Sequence, residues 1–398
     1  MCGYILTTFF LFSFSSVFAT AGNSDAASTS VYENGYKGCV EDGGPGFENF
    51  RSTPCNKIQT TDSGDTVVPV VCDPGGWITE LHLSECINQI PTNNTLLFPN
   101  EANSNKIVNA ISKLRNITHI GLGQTTETAL IAAIPDDWGT LPYLKTLLLQ
   151  NNAFYGDFPV SFSNSETLET LVISGNKLKS FPKQLGVKNT ALKTVVASGN
   201  QFGNTGNCEF PWGLTHAQSI ETIIMRSSGL GSGCCLNCSF GGNTKKYQIK
   251  IPSNLTALTA LKVLDLSGNK FTGSIPPFTA VSSPSLTALR LSNNLLSGTP
   301  TVDILSNVNF MTPTTIYDSS AATAAGGAGS PPNVPTMQSG LFLDSNFFSG
   351  ILMTNISSVC SDDESVCCVP PTLGPVVMKA IYDIPNSDDP TNHTLSPW

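Results

Sequence analysis

One pattern of apolar and polar positions recurs along the chain. Leu144, Leu147 and Leu149 are followed by Asn152 and Phe154. Leu168, Leu171 and Ile173 are followed by Asn176 and Leu178, and Leu192, Val195 and Ala197 by Asn200 and Phe202. The asparagines stand 24 residues apart. The figure returns at Leu261, Leu264, Leu266, Asn269 and Phe271, and 25 residues later at Leu286, Leu289, Leu291, Asn294 and Leu296. Leu341, Leu343, Asn346 and Phe348 form the last clear copy. Weaker copies put Ser228 in the asparagine slot after Ile220, Ile223 and Met225, Thr125 after Ile117, Ile120 and Leu122, and Cys86 after Ile78, Leu81 and Leu83. Nine units therefore run from about Ile78 to about Leu352.

The pattern has a physical reading. Leu-x-Leu predicts a short strand with alternate residues buried. The asparagine turns the chain, and its amide can bond the open backbone of the next turn. One such unit cannot bury its apolar face alone, so the units stack around a continuous core. The 398 residues would otherwise suggest two or three domains. The repeat predicts one solenoid.

At these residues the chain resembles the extracellular leucine-rich repeat proteins. Several units carry an extension of the plant type: Asn269-Lys-Phe-Thr-Gly273-Ser-Ile275-Pro276, Asn294-Leu-Leu-Ser-Gly298-Thr-Pro300 and Asn152-Ala-Phe-Tyr-Gly156-Asp-Phe158-Pro159. This is similar to the polygalacturonase-inhibitor type and to receptor-like ectodomains. Val71-Cys72-Asp73 ahead of Ile78 resembles the end of that family's N-terminal cap. The resemblance implies an α/β-type solenoid: a right-handed superhelix with a concave parallel β-sheet, a mostly irregular or 3-10 convex side, and disulfide-stabilised caps. The expected organisation is a signal peptide at 1–21, an N-terminal cap at 22–77, the solenoid at 78–352 with inserts near 87–113, 231–255 and 305–339, and a C-terminal cap and irregular tail at 353–398.

The ends of the chain set the expected compartment. Residues 4–18 are apolar but too short to span a bilayer, and Ala19-Thr20-Ala21 supplies a cleavage site. No later stretch is apolar enough to span, so the mature chain is expected to be secreted, to the extracellular space or the cell wall. Six N-x-Ser/Thr acceptors, Asn93, Asn116, Asn237, Asn254, Asn355 and Asn392, fit that route. Removing Cys2 with the leader leaves Cys39, Cys55, Cys72 and Cys86, then Cys208, Cys234, Cys235 and Cys238, then Cys360, Cys367 and Cys368. In an oxidising compartment these read as disulfides of unassigned pairing. Charged residues make up only 12%, with a formal net charge of −9. That gives no electrostatic reason to bind nucleic acid.

Function is expected on the strand residues that face away from the core. They form three columns. The patch of interest comprises Thr146, Thr170, Thr194 and Thr222 in the first, Leu148, Val172, Val196 and Ile224 in the middle, and Gln150 and Arg226 in the third. Asp265, Arg290 and Asp344 form a charged end of the same face, with Phe342 in the middle column beside them. An uncharged row of this kind suits an extracellular protein ligand or co-receptor, or a cell-wall polysaccharide, although Phe342 alone could stack on a sugar. Strand propensity by itself also selects Thr, Val and Ile. A structural or adhesion role in the wall is the alternative. A regular threonine row could match an ice lattice, which the concave curvature opposes. His82, His119, Glu80 and Glu85 are the nearest approach to a metal or acid–base site. No G-x-S-x-G, H-E-x-x-H or phosphate loop occurs. The expectation is therefore a binding module with no cofactor, metal or catalytic residues.

Overall fold

The structure, a computed structural model, describes residues 70–74, 77–83, 100–123, 129–203, 209–231, 249–300, 340–343 and 345–348, with Ile304 and strand segments at 59–60, 66–67, 353–354, 359–360 and 376–377. Each unit contributes one short strand to a single 11-stranded sheet. In chain order these are β1 (Val70–Cys72), β2 (Ile78–His82), β3 (His119–Gly121), β4 (Thr146–Leu148), β5 (Thr170–Val172), β6 (Thr194–Val196), β7 (Thr222–Ile224), β8 (Val263–Asp265), β9 (Ala288–Arg290), β10 (Gly340–Phe342) and β11 (Val359–Cys360). Neighbours in sequence are neighbours in the sheet. All pairs are parallel except β1 with β2. The antiparallel strand closes one end of the stack, where Cys72 is disulfide-bonded.

The chain can leave each strand sharply because the residue before each turn position is left-handed. Asn151, Gly175, Gly199, Ser227, Gly268, Asn293 and Ser345 have φ between 49° and 68°. Glycine takes this conformation without steric cost, and asparagine tolerates it. The next residue forms the ladder. Asn176 Nδ2 donates to Leu149 O at 2.9 Å and to Ile173 O at 3.0 Å, while its Oδ1 accepts from Phe154 N at 3.0 Å. Asn152, Asn200, Asn269, Asn294 and Asn346 make the corresponding bonds. The amide reaches back to the preceding unit rather than forward to the next. Ser228 keeps a shortened version, with Oγ donating to Ala197 O at 2.9 Å. Thr125 and Cys86 lie outside the described residues.

The core lies between the sheet and four 3-10 helices on the opposite side: Asp136–Thr140, Val160–Asn164, Trp212–His216 and Ser253–Ala257. Each follows a proline (Pro135, Pro159, Pro211, Pro252), whose fixed φ starts the turn. The inward strand residues, from Leu81 and Ile120 to Leu289 and Leu341, are at most 1% exposed. Phe158, Phe181 and Phe202 continue the core sideways, with ring centroids 5.7 and 5.5 Å apart. The stretch read as an insert near 87–113 includes the helix α1 (Glu101–Ile111). Ile107, Val108, Ala110 and Ile111 are buried in the same core. Trp138 Nε1 donates to Val108 O at 3.2 Å and ties α1 to the next unit.

Candidate functional site

Strand register aligns the first two of the three outward columns. Thr146, Thr170, Thr194 and Thr222 are successive partners, and so are Leu148, Val172, Val196 and Ile224. Asp265, Arg290 and Phe342 continue the middle column. Asp344 lies outside the described residues.

Exposure differs from the expectation. Leu148 is 8% exposed, and Val172, Val196 and Ile224 only 2–3%. With Val263 and Ala288 they form a second apolar cluster, separate from the core and on the other face of the sheet. Thr222, Asp265, Arg290 and Phe342 are also buried, whereas Thr146, Thr170, Thr194 and Gln150 are half-buried and Arg226 is exposed. The row is thus contiguous and apolar, but shielded within the chain rather than open. Val263 and Ala288 fall in the first column, so the apolar path crosses from one column to the other between β7 and β8. Their identity as Val and Ala was the available signal.

The two ends of this row are polar in different ways. Beyond β7, Arg226 Nε and Nη2 donate to Asp265 Oδ2 at 3.2 and 3.0 Å, and Ser267 N donates to Asp265 Oδ1 at 2.9 Å. The Arg290 guanidinium lies 3.8 Å from the centroid of Phe342. That contact occupies the aromatic ring of the middle column.

Before β4, Glu80, His82 and His119 come together. His82 Nε2 lies 2.9 Å from Glu80 Oε2. The His82 and His119 rings are 4.2 Å apart, tilted by 37°. Gly121 and Gly123 leave the middle and third outward positions of this unit without side chains. Gly121 lies beside His119 Nε2, and the Gln150 amide fills the space that a side chain at Gly123 would take. His119 Nε2 and Gln150 Oε1 are buried with no hydrogen-bond partner. The hydrogen bond to His82 holds Glu80 below the usual carboxylate range. Burial, with the charge of His82 second, takes His119 down to about 3. At neutral pH His119 is therefore a neutral, buried imidazole beside the Glu80 carboxylate. Glu85 lies outside the described residues. Among the described residues no group of three or more His, Cys, Asp or Glu could hold a metal ion.

Sequence reasoning missed a further row. Lys145, Glu169, Lys193, Glu221 and Lys262 occupy the same slot of successive units. They pair at 3.6 Å for Lys145–Glu169, 2.9 Å for Lys193–Glu169 and 2.6 Å for Lys262–Glu221. Alternating charge one residue before each outward threonine or Val263 was the signal. Exposed pairs of this kind add little stability.

Of the predicted modification sites, Asn254 is exposed on a 3-10 helix and Asn116 is half-buried in the turn before β3. Asn93, Asn237, Asn355 and Asn392 lie outside the described residues, as do Cys39, Cys55, Cys86, Cys208, Cys234, Cys235, Cys238, Cys367 and Cys368. Cys360 pairs through its backbone with Phe342 at the sheet edge. No helix among the described residues is long and apolar enough to cross a membrane.

The Leucine Rich Repeat family model matches residues 260–280, the unit holding β8 and Asn269. The units with Asn152, Asn176, Asn200, Asn294 and Asn346 repeat its strand and ladder in hydrogen-bonded register. The chain folds as a leucine-rich repeat solenoid. This leucine-rich repeat chain is similar to two receptor-like proteins of Arabidopsis thaliana. It is 30% identical to Receptor-like protein 13 over 151 residues, covering 38% of this chain and 12% of that one. It is 26% identical to Receptor-like protein 39 over 257 residues, covering 63% and 24%. The chain thus spans less than a quarter of the length of these relatives. Among solved structures, the Arabidopsis HAESA leucine-rich repeat ectodomain, in complex with an extended IDA peptide hormone, aligns at 18% identity and TM-score 0.47, over 84% of this chain and 46% of that one. A plant ice-binding protein aligns at 18% identity and TM-score 0.42, over 70% and 81%.

Proposed function

We propose that the chain is a secreted binding module that recognises a protein or peptide partner along its concave face, as an inhibitor or recognition protein of the extracellular matrix or cell wall. The observation that carries this reading is the second apolar cluster. A solenoid needs apolar side chains on the core side of its strands. It does not need a continuous apolar row on the other side. The row is one side chain wide from β4 to β7, which suits an extended partner segment better than a flat surface. Phe342, buried beneath Arg290, favours a protein partner over a polysaccharide. No catalytic step is assigned to the chain.

The test compares Val172→Arg and Val196→Glu with wild type, using the immobilised glycosylated chain and an extracellular extract. Proteins retained by wild type should be lost from both variants and kept by Lys188→Glu, which lies away from the face. Equal retention by all four chains, each confirmed folded by circular dichroism, would end the concave-face reading.

A further inference from the structure

Two of the six N-x-Ser/Thr triplets lie among the described residues, and the fold treats them differently. A glycan on either rests on the secretory part of the proposed function and is independent of the concave face. Asn254-Leu255-Thr256 belongs to the 3-10 helix Ser253–Ala257, on the side opposite the main sheet. Ser253, Asn254 and Ala257 are exposed, while Leu255 is fully buried and anchors the turn. The Asn254 side chain makes no hydrogen bond among the described residues, so its amide can be substituted without breaking one. The Thr256 hydroxyl donates to Ser253 O at 2.9 Å, a bond within the same turn.

Asn116-Ile117-Thr118 is built into the stack instead. It joins α1 to β3, between the fully buried Leu114 and Ile120, and Ile117 is itself fully buried. Asn116 is half-buried. Thr118 N and Oγ1 both donate to Thr79 O, at 2.6 and 2.9 Å. Thr79 lies 39 residues upstream and is therefore synthesised first. Pairing of β2 with β3 thus engages the hydroxyl of this triplet as soon as the triplet emerges. The hydroxyl of Thr256 has no such upstream partner among the described residues. An N-linked glycan is also bulky and hydrated, and it belongs on a surface. Asn254 offers that surface and Asn116 does not.

We propose that Asn254 carries an N-linked glycan and that Asn116 stays unmodified. The donor is a lipid pyrophosphate-linked oligosaccharide of the secretory route. Asn254 Nδ2 loses one proton and bonds to C1 of the reducing-end N-acetylglucosamine. The C1–O bond to pyrophosphate breaks, and the lipid pyrophosphate leaves with its electron pair. Nothing is oxidised or reduced. The glycan stands across the core from Val172 and Val196, so it leaves the concave face clear and closes the convex surface around Ser253–Ala257 to a partner.

The test produces the full chain, residues 1–21 included, in a eukaryotic secretory host. Peptide-N-glycosidase in heavy-oxygen water converts each occupied asparagine to a labelled aspartate, which mass spectrometry of the digest locates. Label at position 254 and an unlabelled asparagine at 116 are expected. Thr256→Ala should abolish the label at 254, whereas Thr256→Ser should keep it, because the triplet needs a hydroxyl and not a methyl. Asn254→Gln should remove the label and still melt at the wild-type temperature. Asn116 labelled to the same extent as Asn254 overturns the proposal, and so does an unlabelled Asn254 in a chain that has lost residues 1–21. A chain that keeps those residues and carries no label at any triplet ends the secretory reading and the proposal with it. The concave-face reading fails separately: equal partner retention by wild type and Val172→Arg would end it and leave the label at 254 in place.

Discussion

The two ends of the concave face differ in their buried charge, although each leaves a buried atom without a hydrogen bond, Ser267 Oγ at one end and His119 Nε2 and Gln150 Oε1 at the other. At the Asp265 end a buried carboxylate meets a forked guanidinium and a backbone N–H. At the His119 end a buried nitrogen and a buried amide oxygen meet nothing. The first arrangement holds a sheet together, because desolvating a charge is tolerable only when it is paired. The difference teaches that charge sets the need for a partner: a buried carboxylate requires one, whereas a neutral imidazole nitrogen or amide oxygen costs less when left unbonded.

Removing one partner at the paired end should have the largest effect. Arg226→Leu leaves Asp265 buried with a single backbone donor. It should lower unfolding free energy by about 3 kcal/mol in urea titration. Glu80→Gln at the other end should change it by less than about 1 kcal/mol. Comparable losses would erase the contrast.

Acid should separate the ends next. His119 titrates near 3 when folded but near 6.5 when unfolded. The unfolded chain therefore binds the proton first. The contribution of His119 is full above pH 6.5, declines as pH falls, and is gone near pH 3. Between pH 6 and 4 the slope should approach 1.4 kcal/mol per pH unit. His119→Phe should flatten stability in that window, while Arg226→Leu should keep the wild-type slope.

Two glycine replacements sharpen the picture with smaller effects. An alanine Cβ at Gly121 would stand 3.2 Å from both His119 Nε2 and the Leu81 carbonyl oxygen. A cost of about 1 kcal/mol is expected from this overpacking. At Gly123 the neighbour is the movable tip of Gln150. Gly123→Ala should stay within about 0.5 kcal/mol of wild type.

Much of this architecture was readable from spacing. A period of two within each strand placed Thr146, Leu148 and Gln150 on one face. A period of about 24 then aligned them with Thr170, Val172 and Ser174. Local chemistry decides both. Shielding of Val172 and Val196 was not readable, because it depends on contacts distant in sequence. The His82–His119 pair was visible as two histidines on successive strands, but its unpaired nitrogen was not. That depends on Gly121 lacking a side chain beside the ring. The helix α1 left a signal in the helical spacing of Ile107, Ala110, Ile111 and Leu114, which a strand repeat of period two does not register.

The asparagine ladder has one more consequence. Leu178 N and Asn200 Oδ1 are 22 residues apart, whereas Leu230 N and Asn269 Oδ1 are 39 apart and Leu296 N and Asn346 Oδ1 are 50 apart. The bond is the same in each case. Because each rung is joined across space and not along the chain, extra sequence can be spliced between rungs without cutting the rail. A molecule assembled on this rule can lengthen by copying a unit, or acquire a new loop at its margin, while every existing unit keeps its neighbours.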